Sequence, residues 1–200
     1  VHTRATLVTL LWCVIPIVTG VIDLDALLGA GCGILLAREH RSRKSSLSRW
    51  CRAGRLVRLL PGVYVHPAAQ GDLQLRLRAL AARVPDAVIV GSAAARLTAW
   101  PRESVTLIEA ATSGRRVSKP GYRFTRRSVP PELVQHGGGL AFLAAPLVAV
   151  DAAGADRGDR IDDLLRMRHR LEDIQAALAA CPGRGGNPVR RRVGRRSRTR

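Results

Sequence analysis

Residues 44–65, KSSLSRWCRAGRLVRLLPGVYV, decide the reading of this chain. Leu47, Trp50 and Cys51 fall at i, i+3 and i+4, which places them on one buried face of a helix. Ser45 or Ser46 is the expected N-cap, because a short hydroxyl side chain satisfies orphan N–H groups of the first turn. Ser48, Arg49, Arg52 and Arg55 point elsewhere, and Gly54 closes the helix as its C-cap. Residues 56–60 (LVRLL) then read as a strand and residues 63–65 (VYV) as its partner. Between them Pro61 presets φ for one corner of a turn, and Gly62 supplies the positive φ that a type II turn needs next.

Upstream, Asp23 or Asp25 caps a helix whose apolar residues include Leu24, Leu27, Leu28, Ile34 and Leu35. Gly29, Gly31 and Gly33 weaken it and invite a break into two pieces. A polar connection follows over residues 38–44. Helix, helix and a short arginine-bearing hairpin is the order of a winged helix-turn-helix, expected here over residues 21–68. In such a unit the second helix turns its polar face to the major groove of double-stranded DNA, and the hairpin touches the flanking backbone. The expected DNA contacts are therefore Ser45, Ser48, Arg49, Arg52, Arg55 and Arg58. Arginine clasps a guanine edge with two hydrogen bonds, and both residue types reach phosphates. The bland alternative is a solvated helix face plus one strand arginine.

Composition agrees with a polyanionic partner. The formal net charge is +18 over 200 residues, arginine supplies nearly all of the cations, and Lys44 and Lys119 are the only lysines. Such an excess favours nucleic acid or an acidic membrane surface and says nothing about fold. A genome rich in G and C would also produce an arginine bias. Acidic residues gather between Asp151 and Asp173, whereas residues 183–200 hold eight arginines and no acid. Residues 181–200 are expected to form a disordered basic tail that acts as a non-specific electrostatic arm.

The run 7–22 (LVTLLWCVIPIVTGVI) carries no charge. As a signal peptide it lacks a good small-x-small cleavage site. As a membrane helix it falls short of the roughly 20 apolar residues needed, and it contains Pro16 and Gly20. Residues 1–20 are therefore expected to be a leader outside the fold, valine at position 1 fitting a start codon placed too early. A cytoplasmic protein is expected, with membrane association through residues 7–22 as the rival.

Past a linker at residues 66–71, Asp72 caps a helix running through Val84 with Leu73, Leu77, Leu80 and Ala81 on one side. Residues 87–90 form a short buried strand or the start of a helix, and a small helix spans 93–97. Strands are expected at 105–110, 122–127 and 140–144, and helices at 146–153, 160–167 and 171–180. A small mixed α/β second domain over residues 72–180 follows, so the fold class is α+β.

Two sets of residues resemble a known family. Residues 52–65, ending in Gly62-Val63-Tyr64-Val65, resemble the winged-helix signature of AbiEi-type antitoxins, the regulator halves of type IV toxin–antitoxin systems common in actinobacteria. Residues 86–97, 124–127 and 143–151 are similar in order and spacing to that family's second domain. The resemblance covers about residues 21–180. It implies DNA binding at an operator, inverted repeats read by two copies, negative autoregulation of the operon, and antagonism of a cognate toxin. Longer relatives continue into a small endonuclease-like domain, whose catalytic carboxylates have no counterpart here. A non-catalytic remnant of such a relative is the alternative.

Neither catalysis nor a cofactor is expected. Cys13, Cys32, Cys51 and Cys181 form no C-x-x-C pair and read as isolated reduced thiols. Gly91-Ser92 resembles the opening of a nucleotidyltransferase site, yet no Asp-x-Asp follows to hold metal. Asp162-Asp163 with Asp156 and Asp159 reads as a solvated helix start, and His66, His136 and His169 sit in no catalytic motif. No metal site and no small-molecule substrate are expected. Arg123, Arg126 and Arg127 make a secondary basic patch, equally readable as a solvated strand face.

Overall fold

Asp23 begins the first helix: its carboxylate accepts from the Asp25 N–H at 2.9 Å, and α1 runs over Leu24–Ala30. The computed structural model describes residues 23–114, 116–155 and 157–181. The leader 1–20, the apolar run 7–22, the basic tail from residue 183, Arg115 and Asp156 lie outside the described residues.

The first helix is shorter than its apolar pattern predicts. Cys32 (φ 49°) and Gly33 (φ 87°) take left-handed backbone and turn the chain back, so Ile34–Leu36 is a strand, β1, instead of a second helical piece. A 3-10 turn, Arg41–Arg43, runs straight into α2, Lys44–Arg52. Neither Ser45 nor Ser46 caps that helix. Its N-cap is Arg43, with no side-chain hydrogen bond, because the preceding turn starts the helix upstream and leaves both serines inside its first turn. Its C-terminus ends on Ala53, with Gly54 one residue beyond at φ 68°. The Gly54 N–H bonds the Cys51 carbonyl and the Arg55 N–H bonds that of Trp50, the paired closure of a Schellman motif.

The hairpin follows as β2, Val57–Leu60, and β3, Val63–Val65, joined through Pro61 and Gly62 at φ 78°. Pairing is antiparallel in the order β1-β3-β2, with a register shift between Arg58 and Leu60. Side chains alternate across this small sheet. Leu35 and Leu56 join Leu24, Leu28, Leu47 and Trp50 in one buried cluster, while Ile34, Leu60, Val63 and Val65 belong to the larger core. Six buried residues are few for a unit of about forty residues, a size at which a core alone is marginal. The other face of the sheet is covered by α3, Leu73–Arg83, whose first turn is capped by Asp72. The expected boundary near residue 70 thus falls on a short 3-10 turn, Pro67–Ala69, across which apolar packing continues.

Beyond α3 the chain builds β4 (Val88–Val90), α4 (Gly91–Leu97), β5 (Ile108–Thr112), β6 (Tyr122–Arg126), β7 (Val134–Gly137) and β8 (Leu140–Leu143). The five strands form one mixed sheet in the order β6-β5-β4-β8-β7. Two strands of this sheet depart from expectation. β5 starts three residues later than the apolar pattern suggests, and β7 has no counterpart in it, being largely exposed and held by antiparallel pairing with β8. Helix α5 (Ala145–Gly154) is buried on nearly every side, against α4 and against α6 (Asp159–Arg166) and α7 (Leu171–Ala180). The described chain is therefore mixed α+β, with seven α-helices and two sheets. Among the described residues no helix is long and apolar enough to cross a membrane.

Candidate nucleic-acid interface

Helix α2 separates its residues sharply. Leu47 and Trp50 are buried and Cys51 is half-buried, whereas Ser45, Ser48, Arg49 and Arg52 are exposed on the opposite face. Positions 45, 48, 49 and 52 share that face because 3.6 residues make a turn. Arg55 is exposed just past the helix, and Arg58 is exposed on β2, opposite Tyr64 in the register. Burial pushes the Cys51 thiol up from its usual range, and the Arg58 charge partly offsets this. Ser45, Ser48, Arg49, Arg52, Arg55 and Arg58 thus occupy one continuous segment. Among the described residues none of these four arginines forms an ion pair.

Three further cations were missed by reading residues 38–44 as a plain connection. Arg41 and Lys44 are exposed and Arg43 is half-buried, all at the N-terminal end of α2, which has no acidic residue in its first turn. Their signal in the sequence was the run Arg41-Ser42-Arg43-Lys44 directly before the helix. A helix N-terminus carries a partial positive charge and favours anions. Stacking cations there is unfavourable unless an outside anion is present.

The secondary patch is different. Arg123 donates from Nη1 to Glu109 Oε1 at 3.0 Å across the β5–β6 pair, and Arg127 donates from Nη2 to Asp151 Oδ2 at 2.8 Å. Both charges are therefore committed within the fold, and Arg126 is the member of the trio with no ion pair among the described residues. Arg123 and Arg126 are exposed and Arg127 is half-buried, so the three differ in partner and in exposure.

Several other charged residues have partners within the fold. Asp159 and Asp162 lie in the first turn of α6, where the helix dipole favours them. Asp163 accepts from Trp100 Nε1 at 3.1 Å, and the His66 ring caps the 3-10 turn that follows it. Glu103 receives both Arg160 and Arg157. Burial alone would raise its carboxyl, but the hydrogen bonds and charges of Arg160 and Arg157 outweigh this and hold it below the usual glutamate range. Among the described residues no cluster of His, Cys, Asp and Glu could hold a metal ion, and Cys32, Cys51 and Cys181 are free.

No protein-family model matches the chain, and no curated protein matches it.

Proposed function

We propose that this chain is a DNA-binding transcriptional regulator whose reading head is a winged helix over residues 21–68. The observation that carries the reading is the uncompensated basic face of α2, where Arg49 and Arg52 share an exposed surface with Ser45 and Ser48. Arg49 and Arg52, in the last turn of α2, suit its dipole, whereas Arg41, Arg43 and Lys44 at the N-terminal end oppose it, and a row of phosphates is the partner that reverses that unfavourable term. The order helix, strand, helix, hairpin and the sheet order β1-β3-β2 support a winged helix. In this reading α2 enters the major groove, while Arg55 and Arg58 reach the flanking backbone. Two copies on an inverted repeat would set their α2 helices about 34 Å apart, one turn of DNA.

The resemblance of residues 52–65, 86–97, 124–127 and 143–151 to AbiEi-type antitoxins extends the proposal. The chain then represses its own operon in the cytoplasm, and residues 72–180 counter the cognate toxin without chemistry of their own. Growth rescue by that segment, expressed beside the neighbouring toxin gene, tests the second half; failure to rescue removes it.

The test of DNA reading is fluorescence anisotropy of the full chain on its own upstream DNA and on scrambled DNA across a salt series. Arg49→Ala with Arg52→Ala is expected to weaken specific binding by about 1–3 kcal/mol per base-contacting arginine. The salt slope should fall by about one for each lost phosphate contact. Unchanged affinity in the double variant would take α2 out of the interface.

A further inference from the structure

Beneath α4 lies an open cleft of about 580 Å³, walled by α4, β5, β6, α5 and α6. That volume lies within the range of small-molecule sites. Its apolar surface comes from residues such as Val90, Ala95 and Val148, and its rim is charged.

The charges on the rim are unequally satisfied. Among the described residues each carboxylate that lines the cleft already receives an arginine: Glu103 from Arg160 and Arg157, Asp151 from Arg127, and Glu109 from Arg123. The arginines are not used up. The Arg160 side chain is 4% exposed, yet among the described residues its Nη1 has no hydrogen-bond partner, and the same holds for the buried Nε of Arg127. Guanidinium N–H groups of this kind are donors only, and a buried donor without an acceptor is unfavourable. Among the described residues that line the cleft, Arg127, Arg157 and Arg160 balance Glu103, Glu109 and Asp151, so the rim's charge is even while two of its guanidinium N–H groups stay unsatisfied. What the cleft lacks is an acceptor.

We infer that this cleft binds a small oxyanion ligand, carboxylate- or phosphate-bearing, through the spare N–H groups of Arg127 and Arg160. The site lies on the second sheet, away from α2, and stands whether or not the chain reads DNA. Half-buried Ser92, at the start of α4, offers its hydroxyl at the same cleft. The arginines hold their carboxylates and the ligand at once, which keeps them rigid and pre-aimed. With cations and carboxylates balanced on the described lining, the expected affinity is modest.

The probes are inorganic phosphate, pyrophosphate, succinate and citrate, titrated into the full chain in about 0.3 M salt, which screens loose attraction to the basic surface. Calorimetry reads the stoichiometry, and peptide-resolved hydrogen exchange reads the place. One probe class is expected to saturate at one site per chain and to protect residues 91–95, 125–127 and 148–160. Arg160→Lys keeps the charge, removes the planar fork, and is expected to weaken binding by about tenfold or more. Ala152→Phe fills the cleft from α5 and is expected to abolish binding, whereas Arg126→Ala leaves it unchanged. Phosphate and pyrophosphate binding without succinate or citrate assigns a phosphate ligand, and the reverse assigns a carboxylate. The inference is overturned if no probe saturates. Protection spread over residues 41–58, or Ala152→Phe binding as tightly as wild type, overturns it equally. Should Arg160→Lys fail to fold, the wild-type exchange map and Ala152→Phe decide alone.

Discussion

The guanidinium of Arg160 lies over the ring of Trp100, 4.4 Å from its centroid, while its Nη2 bonds Glu103 three residues further along the same turn. The Glu103 N–H bonds the Trp100 carbonyl, so one tight turn delivers both an aromatic face and a carboxylate to a single buried cation. Trp100 Nε1 also reaches Asp163, one turn of α6 beyond Arg160. Both contacts from Trp100 fall on α6, which ties that helix to the turn that follows α4.

Replacing Trp100 separates its two contributions. Trp100→Phe keeps an aromatic face and loses the hydrogen bond to Asp163, an expected loss of about 1 kcal/mol. Trp100→Ala removes the face as well and exposes the Arg160 charge, an expected loss of about 3–5 kcal/mol. Urea unfolding measures both; equal losses would mean the ring face contributes nothing.

Glu103 predicts an acid-side weakness. Its carboxyl is held below the ordinary glutamate value, so the folded state favours the ionised form. That stability is fully present above the unfolded value, about 4.3, and drains as pH falls through the lower folded value. Glu103→Gln never has it. The difference in thermal midpoint between wild type and Glu103→Gln should therefore be largest near neutral pH and shrink on acidification. A difference independent of pH would contradict this origin.

Tyr122 predicts the opposite edge. Its hydroxyl donates to the Arg76 carbonyl at 3.0 Å, and burial pushes the phenol up to about 12, a rise the Arg76 charge only partly offsets. The unfolded phenol ionises first, near pH 10, so stability falls as pH rises from about 10 towards 12. Tyr122→Phe is expected to lose about 1 kcal/mol at neutral pH and to be free of this alkaline decline. Parallel alkaline profiles in the two proteins would rule it out.

The ion-paired arginines should divide from the unpaired ones. Arg127→Gln leaves Asp151 half-buried without that partner, and a loss of about 1–3 kcal/mol is expected, with DNA affinity unchanged. Arg49→Ala should do the reverse, leaving the unfolding midpoint within about 0.5 kcal/mol of wild type. Thermal melts beside anisotropy titrations check both. Weakened DNA binding in Arg127→Gln would return Arg123, Arg126 and Arg127 to the interface.

Much of the architecture is local and therefore readable along the chain. The apolar face of α2, the Pro61-Gly62 corner, the Asp72 cap and the last helix each depend on residues within one or two turns of each other. The candidate face of α2 follows from the same periodicity, since burying Leu47 and Trp50 leaves Ser45, Ser48, Arg49 and Arg52 outside. What tertiary structure alone decided is everything whose partner is distant. Ile34–Leu36 is a strand because Val63–Val65 pairs with it, and Val134–Gly137 is one because β8 does. Arg123 and Arg127 look like Arg49 and Arg52 in sequence, yet their carboxylates arrive from 14 and 24 residues away. Arg160, in an exposed-looking helical pattern, is buried by Trp100 and by Glu103, 57 residues earlier. A charge is committed or free according to what folds against it, and that is set by long-range packing rather than by its neighbours in the chain.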